Sequence, residues 1–257
     1  MRRLLPIFVA ALALGGCGYG SPQTPKQETK EPLKIQHALG ETKVPGRASR
    51  PVMLATGELE DSLALGVVPA GAAVPAAGEG FPRFLGGRAE RVGRVGSVAR
   101  PELGRVRGLD PDLILGVIPA QRRIYRRLDE IAPTVMADAR VNWKPNLRQD
   151  GEALGRTDDA EAMLSDYDRR ALRLRRALRG GNPSRAELSA ALPAAVRPYL
   201  GRPFIASILA DVGLPHAESA SRAARPGPHD QWSLGEGVIA ARLVLRDLDR
   251  WLPRARR

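Results

Sequence analysis

Apolar and polar positions follow two rhythms along the chain. Short unbroken apolar runs, bounded by Gly and Pro, suit buried strands: residues 50–55 (RPVMLA), 67–73 (VVPAGAA), 112–117 (DLILGV) and 134–137 (TVMA). Between them, apolar residues recur at helical spacing. Residues 57–66 carry leucines at 59, 63 and 65 before a stopping glycine. A short helix follows with Pro101 near its start. Ile124, Leu128 and Ile131 mark another, which Pro133 separates from the next strand. Repeated strand–helix units predict a parallel sheet with helices on both faces.

A longer helical pattern comes next. From Thr157 the apolar positions are Ala160, Met163 or Leu164, Tyr167, Ala171, Leu174 and Leu178, a 3-4-3-4 rhythm. Thr157 is the expected N-cap, Asp158, Asp159 and Glu161 suit the first turn, arginines crowd the end, and Gly180-Gly181 stop it. A preceding helix over 147–154 breaks near Gly155, so the pair reads as a rigid spacer. Beyond it, residues 182–202 show no convincing strand. Residues 203–215 read as a helix ending at Gly213, residues 218–230 as loop, and residues 234–252 as a closing amphipathic helix.

The N-terminus carries a different pattern. Arg2 and Arg3 precede an apolar run from Leu4 to Leu14, too short to span a bilayer as a permanent helix. This is the build of a secretory signal peptide over residues 1–16. Leu14-Gly15-Gly16-Cys17 resembles a bacterial lipobox, which implies cleavage before Cys17, lipid attachment to its sulfur as a diacylglyceryl group, and residence on the extracytoplasmic face of the cell membrane. An ordinary signal peptide with a chance cysteine is the alternative. Cys17 is the single cysteine, so no intramolecular disulfide forms. Residues 17–32 are polar and rich in Pro, Gly, Gln and Thr, a flexible tether, with order beginning near residue 33.

Composition then narrows the function classes. Forty Lys and Arg stand against 28 Asp and Glu, a formal charge of +12, or +10 once Arg2 and Arg3 leave with the signal. Nearly all the positive charge is arginine, spread along helical segments without an aromatic-studded basic block. An exported chain with that distribution points away from nucleic acid and towards a solvated basic surface. Three isolated histidines and one cysteine offer no paired metal-ligand spacing. No activated-nucleophile pattern, phosphate loop or metal-hydrolase motif appears, so the expectation is a protein without catalytic residues.

Taken in order, "HALGETKVPGRASRPVML", "LALGVVPAG", "VGSVARPELGRVRGLDPDLILG", "IYRRLDEIAPTVMAD", "WKPNLRQDGEALGRTDDAEAMLSDYD", "FIASILADVGLP" and "DQWSLGEGVIAARLVLRDLDRWL" resemble the siderophore-type substrate-binding lipoproteins of bacterial ABC importers. The resemblance implies an α/β fold of two lobes with parallel sheets joined by a long α-helix. It also implies an iron-siderophore complex in the cleft between the lobes, docking on ABC permease subunits, a monomer, and no resident cofactor. Haem or corrinoid capture is a variant. The corresponding division is an N-terminal lobe over 33–144, linker helices over 145–180 and a C-terminal lobe over 181–257. That last part is short for the family, so the second lobe is expected to be reduced and poorly packed. An internally deleted, non-transporting relative acting as a surface interaction protein is the alternative function.

Ligand-binding candidates follow from the cleft that the resemblance implies. Loops after strand ends contribute Thr56, Gly57 and Glu58, then Gln121 and Arg122. Arg100 follows "GSVA", where family members often carry an arginine two positions earlier and this chain has Val98. Trp143 walls the cleft or packs the linker helices. Tyr199 and Arg202 sit where the second lobe's first loop faces the ligand, and Trp232 precedes the closing helix. An oxygen-rich, often anionic chelate wants such aromatic walls and arginine forks.

Overall fold

The structure is a computed structural model that describes residues 31–139, 142–178, 184–216, 231 and 234–252. The signal, Cys17, the loop over 218–230 and Trp232 lie outside the described residues.

Six strands form the main sheet: β3 (Pro51–Met53), β4 (Gly71–Val74), β5 (Gly93–Ser97), β6 (Arg100–Pro101), β7 (Leu113–Ile118) and β8 (Thr134–Asp138). Their order is β6-β5-β4-β3-β7-β8, parallel throughout except for the short antiparallel edge strand β6. The central strands β3, β4 and β7 are buried along their whole length, which is why they read as unbroken apolar runs. Their side chains alternate between two cores. Val52, Leu54, Ile114 and Met136 face one side, with Val106 and Leu128 from helices α2 (Leu103–Gly108) and α3 (Tyr125–Asp129). Met53, Leu113, Leu115 and Val135 face the other, under α1 (Thr56–Ala64) and α4 (Trp143–Ala153).

Two features escape the hydrophobic pattern. A hairpin, β1 (Leu33–His37) and β2 (Gly40–Val44), precedes the sheet and covers its β8 edge. Ala38 N–H donates to Met136 O at 2.9 Å and Thr42 Oγ1 donates to Thr134 O at 3.0 Å. Only Ile35, Thr42 and Val44 of the hairpin are buried, too few to show a period. Strand β5 carries Gly93 and Gly96 and resembles loop by composition. A Cβ at Gly93 would lie 2.9 Å from Ala70 O, so the close approach to the neighbouring chain selects glycine.

The linker appears as α4 followed by α5 (Thr157–Ala177), whose buried residues Ala160, Leu164, Tyr167, Ala171 and Leu174 keep the expected rhythm. Its N-cap is Arg156 with no side-chain capping bond, so Thr157 is the first helical residue and not the cap. Lys144 Nζ reaches Asp168 at 2.8 Å and Asp211 at 3.1 Å, and Tyr167 Oη–H donates to Asp211 at 2.8 Å. This network ties α4 and α5 to α7 (Pro203–Val212).

Among the described residues no strand follows β8. The described C-terminal helices are α6 (Arg185–Ala191), α7 and α8 (Val238–Trp251), with a short 3-10 turn at Arg197–Tyr199. A capping box between Ser184 and Glu187 starts α6, and Gly213, at φ 75°, ends α7 in the left-handed conformation. The expected poor packing is not found: Ile205, Ile208, Val212, Val238, Val244 and Leu248 are fully buried in the same core as Met53 and Leu115. The reason is that helices close their backbone hydrogen bonds internally. A shortened sheet would leave ladder groups unpaired, whereas a helix needs only a surface for its apolar face, and α5 and α1 supply it.

Candidate ligand-binding cleft

A cavity of about 540 Å³ opens where the carboxyl ends of β3 and β7 face α7 and the residues leading into α8. Its size suits a small-molecule ligand. Gly57, Glu58 and Asp61 of α1 form the floor. Asn142, Trp143 and Asn146 at the start of α4 form one wall, and Arg202, Phe204 and Ser207 at the start of α7 form the opposite one. Glu236 and His216 complete the rim.

Local structure holds these side chains in place. The Asn142 side chain caps α4 by accepting from Lys144 N–H at 3.1 Å, which presents Trp143 in the first turn. Trp143 packs edge-on against Tyr167 at 4.8 Å between ring centres and is 3% exposed. Trp143 thus packs against α5 and also lines the cavity. Its indole Nε1 has no hydrogen-bond partner. Arg202 precedes Pro203, the first residue of α7, and its guanidinium stands 3.7 Å from the carboxylate of Glu236, which also lines the cavity.

Beneath the floor lies a group of buried carboxyls. Glu60 accepts N–H bonds from Glu236 at 2.9 Å and Ala240 at 2.8 Å, and Asp61 accepts from Val238 at 2.8 Å. Two acidic side chains of α1 thus receive the free N–H groups at the start of α8, where the helix dipole favours them. Burial pushes the Glu60 carboxyl up to about 8 despite those bonds, and pushes Glu58 up to about 7, with Glu236 nearby adding to it. Burial also raises Asp61 and Asp150, which share a hydrogen bond. Burial lowers Arg202, and the charge of Glu236 opposes that change. Among the described residues, no three His, Cys, Asp or Glu side chains converge as metal ligands, and no helix is long and apolar enough to cross a membrane.

The sequence profile described as "Periplasmic binding protein" matches residues 52–232. The chain belongs to the periplasmic binding protein family. Within that family it is 30% identical over 170 residues to "Probable siderophore-binding lipoprotein YfiY" of Bacillus subtilis, covering 65% of this chain and 52% of the relative. It is 28% identical over 174 residues to the petrobactin-binding protein YclQ of the same organism, covering 65% and 54%. The chain spans about half the length of the curated relatives it matches. The structure of Staphylococcus aureus SirA complexed with staphyloferrin B superposes with a TM-score of 0.71 at 20% identity, over 86% of this chain and 98% of that one, a likeness of fold. The periplasmic-binding-protein-like α/β fold with its long helix is therefore established for this chain.

On this frame the predicted residues separate. Trp143 and Arg202 line the cleft. Tyr199 is buried in the turn before Arg202, and Thr56 is buried as the first residue of α1, one position before the floor. Gln121 is fully buried and engaged internally: its Oε1 accepts from Val117 N–H at 2.8 Å, and its Nε2 donates to Val98 O at 2.8 Å and Leu54 O at 3.3 Å. Arg100 and Arg122 are exposed and do not line this cavity. Pattern reading missed Asp61, Asn146, Ser207, His216 and Glu236. The only available signal was an acidic residue just ahead of the closing amphipathic helix, and it resembles ordinary dipole complementation.

Proposed function

We propose that this chain is the extracytoplasmic capture component of an ABC importer. Lipid-anchored through Cys17, it takes up an iron-siderophore complex in the cleft and delivers it to permease subunits, acting as a monomer and without catalysis. Residues 33–144 and 181–257 serve as the two halves around linker helices 145–180. One observation carries this reading: a walled cavity of ligand size lies between the strand ends of one part and the helices of the other, in a member of a binding-protein family. The named specificities of YfiY and YclQ support a siderophore as cargo. Trp143 provides an aromatic wall and Arg202 a guanidinium fork, with Tyr199 and Thr56 supporting from behind. The intact cavity favours capture over a non-transporting relative.

Tryptophan fluorescence tests the proposal. Titration with ferric hydroxamate, catecholate and hydroxycarboxylate chelates should give saturable quenching with at least one class, and Trp143→Phe should remove most of it. Absence of quenching and of any thermal shift with all three, and with haem and corrinoids, would refute the proposal.

A further inference from the structure

We propose that Glu58 makes the cleft selective for chelates that carry an ammonium group, at the expense of polyanionic ones. This rests on the reading of the chain as a chelate-binding protein and names the class of chelate.

The charges around the cavity can be paired off one by one. Arg202 faces Glu236 at 3.7 Å. Asp61 accepts from Val238 N–H at 2.8 Å and shares a hydrogen bond with Asp150. Glu60 receives two N–H groups of the segment entering α8. Glu58 is left over. It lines the cavity, is 2% exposed, and its Oε2 has no hydrogen-bond partner, its carboxyl being bonded only to its own backbone N–H. On the adjoining wall Trp143 Nε1, a donor, is also without a partner. A buried acceptor and a buried donor left unpaired on one cavity are costly to the empty protein. A ligand that brings a donor to the first and an oxygen to the second completes both.

The sign of the preferred ligand charge follows from the same inventory. A polyanionic chelate would meet the unpaired Glu58 carboxyl, while the one guanidinium among the lining residues, that of Arg202, already faces Glu236. An ammonium group meets the opposite situation. Asp61 on α1, Asp150 on α4 and Glu236 before α8 interact with Glu58 directly, and Arg202 before α7 and His216 after it line the same cavity. With its carboxyl held up near 7, Glu58 carries a proton for much of the time at neutral pH. On binding, the ligand ammonium keeps its own protons, the Glu58 carboxyl releases its proton to buffer, and an ammonium–carboxylate pair forms. Selectivity for the cationic ligand therefore grows as pH rises through 7.

The test uses three probes: ferrioxamine B, a hydroxamate chelate ending in an ammonium group; its N-acetyl derivative, the same chelate without that charge; and ferric enterobactin, a trianionic catecholate. Each is titrated at pH 6 and pH 8 by fluorescence and by calorimetry in two buffers of different ionisation enthalpy. Ferrioxamine B should bind about tenfold tighter than its acetylated form at pH 8, with the gap narrowing at pH 6 and protons released near neutrality. Glu58→Gln should erase both the gap between the two hydroxamates and the proton release. Equal affinities in the unmodified protein, a gap that survives Glu58→Gln, or binding of enterobactin alone would overturn the selectivity and leave chelate capture standing. No binding of any probe overturns the selectivity too, and chelate capture itself falls if haem, corrinoids and hydroxycarboxylate chelates also fail. The comparison of the two hydroxamates in the unmodified protein decides the matter even if the variant does not fold.

Discussion

Replacing Glu60 by Gln tests the joint between α1 and α8. Glu60 is fully buried, and its two oxygens take different partners: Oε1 accepts from Glu236 N–H at 2.9 Å and Oε2 from Ala240 N–H at 2.8 Å. An amide offers one acceptor and one N–H₂, so one backbone donor of the α8 entry would face another donor. Leaving that buried N–H unpaired costs about 1–3 kcal/mol. The second effect runs with pH. Burial raises the Glu60 carboxyl from 4.5 to about 8, so the folded protein holds a proton that the unfolded chain has released across that window. The folded state binds more protons, and stability due to this group falls as pH rises from about 4.5 to about 8. At about 1.4 kcal/mol per pH unit of difference, the loss reaches at most roughly 5 kcal/mol above pH 8. The Gln variant does not titrate. Urea denaturation of both proteins at pH 5, 7 and 9 should show Glu60→Gln less stable at pH 5, with the two converging or crossing by pH 9. Glu58 and Asp150 are common to both proteins, whereas Asp61, which the charge of Glu60 raises, is raised less in the variant and adds to the convergence at high pH. A stability difference that stays constant from pH 5 to pH 9 would refute the buried-carboxyl reasoning.

The same joint leaves no room at Gly237. A Cβ there would stand 2.7 Å from Asp61 Oδ1 and 2.8 Å from Gly57 O, so Gly237→Ala should cost about 1–3 kcal/mol and weaken chelate binding by shifting Glu236, as read by thermal melts and titration. Gln121→Leu removes three hydrogen bonds, two buried and one part-buried, at the ends of β7, β3 and β5. It should lower stability by about 2–4 kcal/mol in urea, whereas a residue that served only the ligand would leave the melt unchanged and alter affinity alone.

By itself the sequence determined the parallel-sheet part, because a strand buried on both faces must be apolar along its length and a helix lying on a sheet must be apolar on one stripe. Residues 112–117 and the rhythm from Ala160 to Leu174 carry that requirement openly. The resemblance put Trp143 and Arg202 among the cleft candidates, and both stand at helix starts that line the cavity. Tertiary structure alone decided the rest. Strand β5 is a strand only because β4 lies beside it, and Gln121 is a structural clamp only because three strand ends converge on it. The acidic floor joins α1 to a segment about 180 residues later, through backbone N–H groups that every non-proline residue possesses. No pattern of side chains announces such a contact, since one partner has no side-chain signature at all.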